Sequence, residues 1–465
     1  MKGNYLHAEG DLNITDLRQQ WNRALDPQTR EVLDRDASHF VHQALSTPCL
    51  DVAASSSGIR FTNLQGKTYI DFHGNSVHQL GYRNSYIIDR VKNQLDVLAF
   101  SPRRFTNLPA IELAERLAAL TENKLSRVLF APGGTSAVSM ALKLARIVTG
   151  KFKTVSMYDA FHGASIDSIS VGGEYAFQQG LGPLLTGSVH VPPVDQYRSM
   201  WPRTDGQPDD LGYADYIEYV IEKEGNVGAL LAETIRSTTV HVPSKAYWQR
   251  IRQICDKHGV LLILDEIPIA FGRTGAMFAF EHYGIVPDIL VLGKGLGAGI
   301  IPMAAMLCKG SLNVAGDVSL GHFTHEKNPL GATAALAALD YIAEREVINH
   351  VQLVGQHLHN RLLGLQERCP AIGDIRGIGL LWGVELVSDR QTKTPDPALA
   401  ERVLYRCLEQ GLSLKVSGGN VLSLYPPLII TVHELETALS ILEESLAYGI
   451  AENHRYHRVN NHHTT

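Results

Sequence analysis

The sequence predicts an α/β protein in which a mostly parallel sheet is covered by helices, with a second α+β region toward the end of the chain. Three stretches carry this prediction. Val260-Leu261-Leu262-Ile263-Leu264 is an unbroken apolar run, the pattern of a central strand buried on both faces. The helix pattern before it starts at Ser244, sets Tyr247, Ile251, Ile254 and Cys255 on one face, and stops at His258-Gly259, the cation-then-glycine ending a helix prefers. Upstream, Val128-Leu129-Phe130-Ala131 passes through Pro132-Gly133-Gly134-Thr135-Ser136 into Val138, Ala141, Leu142, Ala145 and Val148, one helical face closed by Gly150. Short apolar strands alternating with amphipathic helices build βαβ units.

The chain opens on helical packing material. Leu17, Trp21, Leu25, Val32 and Leu33 recur at helical spacings between about Ile14 and Leu45, interrupted by Pro27. Gly58-Ile59-Arg60-Phe61 and Thr68-Tyr69-Ile70-Asp71-Phe72 flank Asn63-Leu64-Gln65-Gly66, the residue types of a hairpin turn. Beyond the glycine-turn helix, Thr154-Val155-Ser156-Met157-Tyr158 and Gly228-Ala229-Leu230-Leu231-Ala232-Glu233 read as strands. Asp288-Ile289-Leu290-Val291-Leu292 and Ala304-Ala305-Met306-Leu307 continue the alternation. An Ala-rich helix follows Asn328-Pro329, and the second region begins near Arg345. Thr431-Val432-His433-Glu434 is a capping box, opening a last helix with Leu435, Leu439, Leu442 and Leu446 on one stripe. The predicted division is 1–75 as the N-terminal part of a small domain, 76–344 as a large domain, and 345–465 as the C-terminal part of the small one.

At 465 residues, 45% hydrophobic and 19% charged, the composition is that of a folded globular protein of two or three domains. A net charge of −6 and the lack of any Lys/Arg-rich run give no electrostatic reason to expect a nucleic-acid partner. No run of 18 apolar residues predicts a membrane span, and Met1-Lys2-Gly3-Asn4-Tyr5-Leu6-His7 lacks the apolar core of a signal peptide. Cys49, Cys255, Cys308, Cys369 and Cys407 show no metal-ligand spacing, which argues for reduced core residues, a cytoplasmic setting and no structural metal.

The candidate chemistry centres on Lys294, within Val291-Leu292-Gly293-Lys294-Gly295-Leu296-Gly297-Ala298-Gly299. These surroundings predict a desolvated side chain. Burial disfavours the charged form and leaves an amine able to form a Schiff base with an aldehyde, and the glycines would let a flat ring approach. Asp265-Glu266 ends the buried strand, where open α/β sheets place their ligands. The turn at Gly134 and Thr135 either offers backbone N–H groups and a helix dipole to a phosphate or is an ordinary α/β turn. Phe161-His162-Gly163 is either a stacking platform for a flat ligand or core plus loop. Two polar clusters, His73-Gly74-Asn75-Ser76-Val77-His78-Gln79 and Ser101-Pro102-Arg103-Arg104, are either solvated loops or anion-holding groups. Lysine, carboxylate and helix N-terminus together are the parts a pyridoxal 5'-phosphate site needs.

Those parts come with further motifs in a fixed order: Leu262-Ile263-Leu264-Asp265-Glu266-Ile267-Pro268-Ile269-Ala270-Phe271-Gly272-Arg273-Thr274-Gly275, then Glu281-His282-Tyr283-Gly284, Pro287-Asp288-Ile289 and Lys294-Gly295-Leu296-Gly297. In this order they resemble the class III pyridoxal-phosphate aminotransferases of fold type I, from about Gly58 to Ala447. The resemblance implies a large domain with a mostly parallel seven-stranded sheet between helices, and a smaller α+β domain built from both termini. It also implies roles. Lys294 is the Schiff-base lysine and Asp265 the partner of the pyridinium nitrogen. Ile267 and Phe161 flank the ring with His162 beside them, and Gly134 and Thr135 hold the phosphate. Thr324, in Thr324-His325-Glu326-Lys327-Asn328-Pro329, matches a threonine that family dimers lend to the neighbouring subunit's phosphate, which implies a homodimer with shared sites.

The chain departs from the family at three places. Ser136 stands where the family usually has glutamate. Pro268 stands where a glutamine commonly meets the cofactor's phenolic oxygen. Ser423, in Asn420-Val421-Leu422-Ser423-Leu424-Tyr425-Pro426-Pro427, stands where many members carry the arginine that pairs with a substrate carboxylate. A transaminase needs a carboxylate grip for its keto acid, and Arg236 is one alternative source. With Arg103, Arg104, His73 and Asn75 as candidate substrate contacts, the chain is more similar to the family's lyase branch, which acts on small amines bearing a phosphate or phosphonate. The implied reaction is a PLP-dependent ammonia-lyase conversion of 1-hydroxy-2-aminoethylphosphonate to phosphonoacetaldehyde and ammonia. The alternative is an omega-aminotransferase passing a primary amine to pyruvate or 2-oxoglutarate.

Overall fold

Seven strands form the central sheet of the computed structural model, which describes residues 14–43, 49–202, 204–205 and 209–461. Met1–His7 and Leu45, used in the sequence reading, lie outside the described residues. In spatial order the strands are Arg127–Ala131, Ala304–Cys308, Ile289–Leu292, Leu261–Asp265, Val227–Glu233, Lys153–Met157 and Ser188–Val191. From Ile289–Leu292 outward to Ser188–Val191 neighbours run parallel, while Ala304–Cys308 runs antiparallel to both of its neighbours. The sheet is mostly parallel, as expected, with the chain reversing after Lys294.

The apolar run explains the sheet's central position. Leu262, Ile263 and Leu264 are fully buried, and their alternation sends Leu262 and Leu264 into one core and Ile263 into the other. On one face the helix Gly134–Thr149 packs Ala137, Val138, Ala141 and Ala145, ending at Gly150 with φ 64°. On the other the helix Lys245–His258 packs Tyr247, Ile251, Ile254 and Cys255. It starts where Ser244 accepts from Tyr247 N–H and stops at Gly259 with φ 61°.

At the N-terminal end, Pro27 separates two helices, Asp16–Ala24 and Pro27–His39, by opening the second, where its missing N–H costs nothing. The hairpin Arg60–Asn63 with Thr68–Asp71 forms as expected, and Leu412–Ser413 adds to it in parallel through the pairs Leu412 with Ile70 and Ser413 with Asp71. Distant segments thus share one sheet. A third sheet holds Ile372–Ile378, Leu381–Asp389, Val421–Leu424 and Lys415–Ser417, with Thr394–Pro395 at its side. In the central sheet Glu233, Asp265 and Val291 are in register at the carboxyl ends of parallel strands. Loops leaving those ends form the rim of the site.

Candidate active site

A cavity of about 390 Å³ opens at these strand ends. Among its walls are Lys294, Asp265, Ile267, Gly134, Thr135, Phe161 and His162, together with His73 and Asn75. The fold therefore gathers most of the residues singled out from the sequence.

Lys294 follows the strand Ile289–Leu292 with φ 42°, in a left-handed conformation that a side-chain-bearing residue rarely adopts. Its neighbours Gly293 and Gly295 are buried, but Lys294 itself is exposed toward the cavity. This corrects the expectation of a desolvated ammonium. The apolar surroundings bury the backbone of the turn, while the side chain belongs to the cavity wall. The glycines serve close packing: a Cβ on Gly295 would lie 2.8 Å from the Gln79 amide, and one on Gly293 would lie 3.2 Å from Ile267.

Asp265 is 2% exposed. One carboxylate oxygen accepts from Ile267 N–H at 3.0 Å and the other lies 2.8 Å from His162 Nδ1. A carboxylate only accepts, so this contact assigns the His162 proton to Nδ1. His162 Nε2 is buried with no hydrogen-bond partner among the described residues. Behind Asp265, Glu266 is fully buried, and burial pushes it up to about 7 against three donors that favour its anion.

The glycine turn starts the helix at Gly134 without a side-chain cap, which leaves N–H groups at the cavity wall able to bind an anion. A Cβ on Gly134 would lie 2.6 Å from Ile267 Cδ1, and one on Gly163 would lie 2.4 Å from Thr135 Oγ1. Phe161 is held by Phe177 at a ring distance of 4.6 Å. An amine, a histidine-backed carboxylate, an aromatic, an aliphatic and an uncapped helix N-terminus together fit a phosphorylated flat ring. The donor set suits pyridoxal phosphate.

Other candidates lie elsewhere. Arg103, Arg104 and Thr324 do not line this cavity. They belong to two loops that pack together: the Phe100 and His325 rings are 5.3 Å apart, and Asn107 Nδ2 donates to the Lys327 carbonyl at 2.9 Å. Arg236 is also outside, turned toward the Asp159 carbonyl at 2.6 Å, so it does not replace an arginine at 423. His78 is an interior residue, 2% exposed, with Nε2 3.0 Å from the Asp71 carbonyl. Gly74, Asn75 and Ser76 run through φ 44°, 47° and 60°, and the Asp71 carboxylate accepts from the His73 and Gly74 N–H groups. This turn aims Asn75 at the cavity.

Sequence reasoning missed Lys415, Ser237, Thr238, Glu174, Glu233 and Tyr425, all of which line the cavity. Glu233 alone carried a signal, as the carboxylate ending a buried strand. Lys415 and Thr238 reach the cavity through pairing of distant segments, which leaves no local pattern.

Comparison with known proteins matches this architecture. The model of the family described as aminotransferase class-III matches residues 42–446. The chain is 53% identical, over 96% of both chains, to an (R)-1-hydroxy-2-aminoethylphosphonate ammonia-lyase of Vibrio splendidus (strain 12B01). It is 31% identical to a leucine/methionine racemase of Thermococcus litoralis, over 90% of this chain and 95% of the relative. Among solved structures, the taurine:2-oxoglutarate aminotransferase of Bifidobacterium kashiwanohense, in complex with PLP and glutamate, superposes with a TM-score of 0.86 at 27% identity, covering 91% of this chain and 99% of that one. The chain belongs to the class III aminotransferase family.

Proposed function

We propose that this protein is a pyridoxal-phosphate-dependent ammonia-lyase that converts 1-hydroxy-2-aminoethylphosphonate to phosphonoacetaldehyde and ammonia. One observation carries the reading beyond the family. Among the described residues of the chain, the cavity around Lys294 is lined by a second lysine, Lys415, and by hydroxyl groups, but by no arginine. The chain's own wall of the cavity thus offers a keto acid no guanidinium fork where many family members carry one, whereas Lys415 and the hydroxyl groups suit a phosphonate. The likeness to the Vibrio splendidus lyase points the same way.

Bound pyridoxal phosphate supplies an aldehyde for the substrate amine and a ring that accepts electrons. The helix N-terminus at Gly134 and Thr135 would hold its phosphate, Ile267 and Phe161 would hold the ring between them, and Asp265, oriented by His162, would keep the ring nitrogen protonated. The Lys294 amine removes the proton from the carbon bearing the substrate's nitrogen. The neighbouring hydroxyl leaves as water, and hydrolysis of the released enamine gives aldehyde and ammonia with no keto acid consumed.

The functional unit is a homodimer with shared sites. Arg103, Arg104 and Thr324 belong to two loops that touch through Phe100 and His325, and Phe100, Phe105 and Leu108 beside the arginines are exposed apolar groups, the composition of a subunit contact. From there Thr324 serves the partner's phosphate and the two arginines the partner's substrate. No described helix is long and apolar enough to cross a membrane. Cys255, Cys308, Cys369 and Cys407 are buried as free thiols, which supports a reducing, cytoplasmic setting.

The test is incubation with 1-hydroxy-2-aminoethylphosphonate, without keto acid, followed by an ammonia assay. Release of ammonia is expected, and Lys294→Ala should abolish both release and the borohydride-sensitive visible absorbance. Amino-acid formation that needs pyruvate or 2-oxoglutarate, with no ammonia in their absence, would overturn the lyase in favour of an aminotransferase.

A further inference from the structure

Ser423 is fully buried on the strand Val421–Leu424 and does not reach the cavity, yet both of its hydrogen bonds are directed. Its Oγ lies 2.7 Å from the Thr238 carbonyl, which can only accept, and 3.0 Å from Ser417 Oγ. A hydroxyl has one hydrogen, so Ser423 donates to Thr238 and Ser417 donates to Ser423. The Thr238 carbonyl belongs to the turn joining the end of the strand Val227–Glu233 to the helix Lys245–His258.

That turn is held from several sides. Arg376 Nε donates to the next carbonyl, Thr239, at 2.9 Å. Ser237 N–H donates to Glu233 at 2.9 Å. Val240 has φ 54°, a conformation that a β-branched residue adopts only when its surroundings impose it. The third sheet therefore fixes a strained turn whose exposed product is the side chain of Thr238 in the cavity wall.

The orientation of that hydroxyl follows. Thr238 Oγ1 accepts from Arg236 Nε at 3.3 Å, so its own hydrogen is left for another acceptor, with a guanidinium behind it. Lys415 is the register partner of Ser423 on the antiparallel neighbouring strand. Directly opposed residues project from the same face of a sheet. Lys415 thus rises on the face where Ser423 meets Thr238, and both Lys415 and Thr238 line the cavity. A hydroxyl backed by a cation and an ammonium in the same cavity wall make a donor set for a tetrahedral oxyanion.

We propose that Ser423 is a positioning residue which, by holding the Thr238 carbonyl, sets the Thr238 hydroxyl beside Lys415 as the subsite for the substrate's phosphonate. This rests on the aminophosphonate reading above but not on the lyase chemistry. Holoenzyme is titrated with 2-aminoethylphosphonate, which lacks the leaving hydroxyl, and with ethylamine, which lacks the oxyanion, following the visible absorbance of the bound cofactor.

Thr238→Val should weaken 2-aminoethylphosphonate about 10- to 100-fold, the worth of a hydrogen bond to a charged group, and leave ethylamine within about 2-fold. Thr238→Ser keeps the donor and should retain the affinity. Ser423→Ala should lower phosphonate binding with the same selectivity, and should add nothing to Thr238→Val, because it acts through Thr238. If Ser423→Ala does not fold, the two Thr238 variants decide. Unchanged phosphonate affinity in Thr238→Val, or equal losses for both probes, overturns the subsite even if the wild type releases ammonia. Selective loss upholds it even if the wild type proves to be an aminotransferase.

Discussion

Glu266 shows how a single side chain supports the site from below. It accepts from the Ala279 and Phe280 N–H groups at 2.7 and 2.8 Å and from the Thr234 hydroxyl at 2.8 Å, directly behind Asp265. Burial nevertheless raises it from 4.5 to about 7. A carboxyl raised on folding adds stability that is fully present below its unfolded value and lost as pH climbs to its folded one. Wild-type stability should therefore fall between pH 4.5 and about 7 relative to Glu266→Gln, by up to ~3 kcal/mol. Urea unfolding of both proteins at pH 5 and pH 8 checks this, because any constant penalty of the amide cancels in the pH difference. Lys294 and Asp265 were legible as residues because a charge flanked by glycine or ending an apolar run is conspicuous. The exposure of Lys294 was not, since sequence shows what surrounds a backbone but not where its side chain points.

At the scale of elements, chain punctuation was the readable part. The helix Lys245–His258 begins and ends where Ser244 and Gly259 said it would, and the last helix opens on a true capping box. Glu434 N–H donates to Thr431 Oγ1 at 3.2 Å, and Thr431 N–H donates to Glu434 at 3.1 Å. Thr431→Ala should cost about 1 kcal/mol in urea unfolding with turnover unchanged, because the cap is exposed and outside the cavity wall. A loss of turnover would mean that this helix end is coupled to the site. Leu412–Ser413 was not readable as a strand. Two residues carry no periodicity, and they are a strand only because Ile70 and Asp71 lie beside them.

For the whole molecule, the separation of Arg103, Arg104 and Thr324 from Lys294 within one chain is what a shared site requires. Coexpressing Lys294→Ala with the double variant Arg103→Ala, Arg104→Ala should restore about a quarter of wild-type activity, since random pairing makes half the dimers mixed with one complete site each. Turnover no higher than that of either variant alone would place the arginines outside the partner's site.

The sequence by itself determined the alternation of strands and helices, several helix ends and the family, and it singled out Lys294 and Asp265 as candidates, because periodicity, caps and ordered motifs are local properties of a chain. Only the tertiary structure decided which groups face the cavity. Ser423 turned out to be a buried donor to Thr238, Lys415 became a cavity cation, and Arg236 was turned away. Each outcome depends on pairing between segments far apart in sequence, where register and face, not residue type, set what a side chain meets.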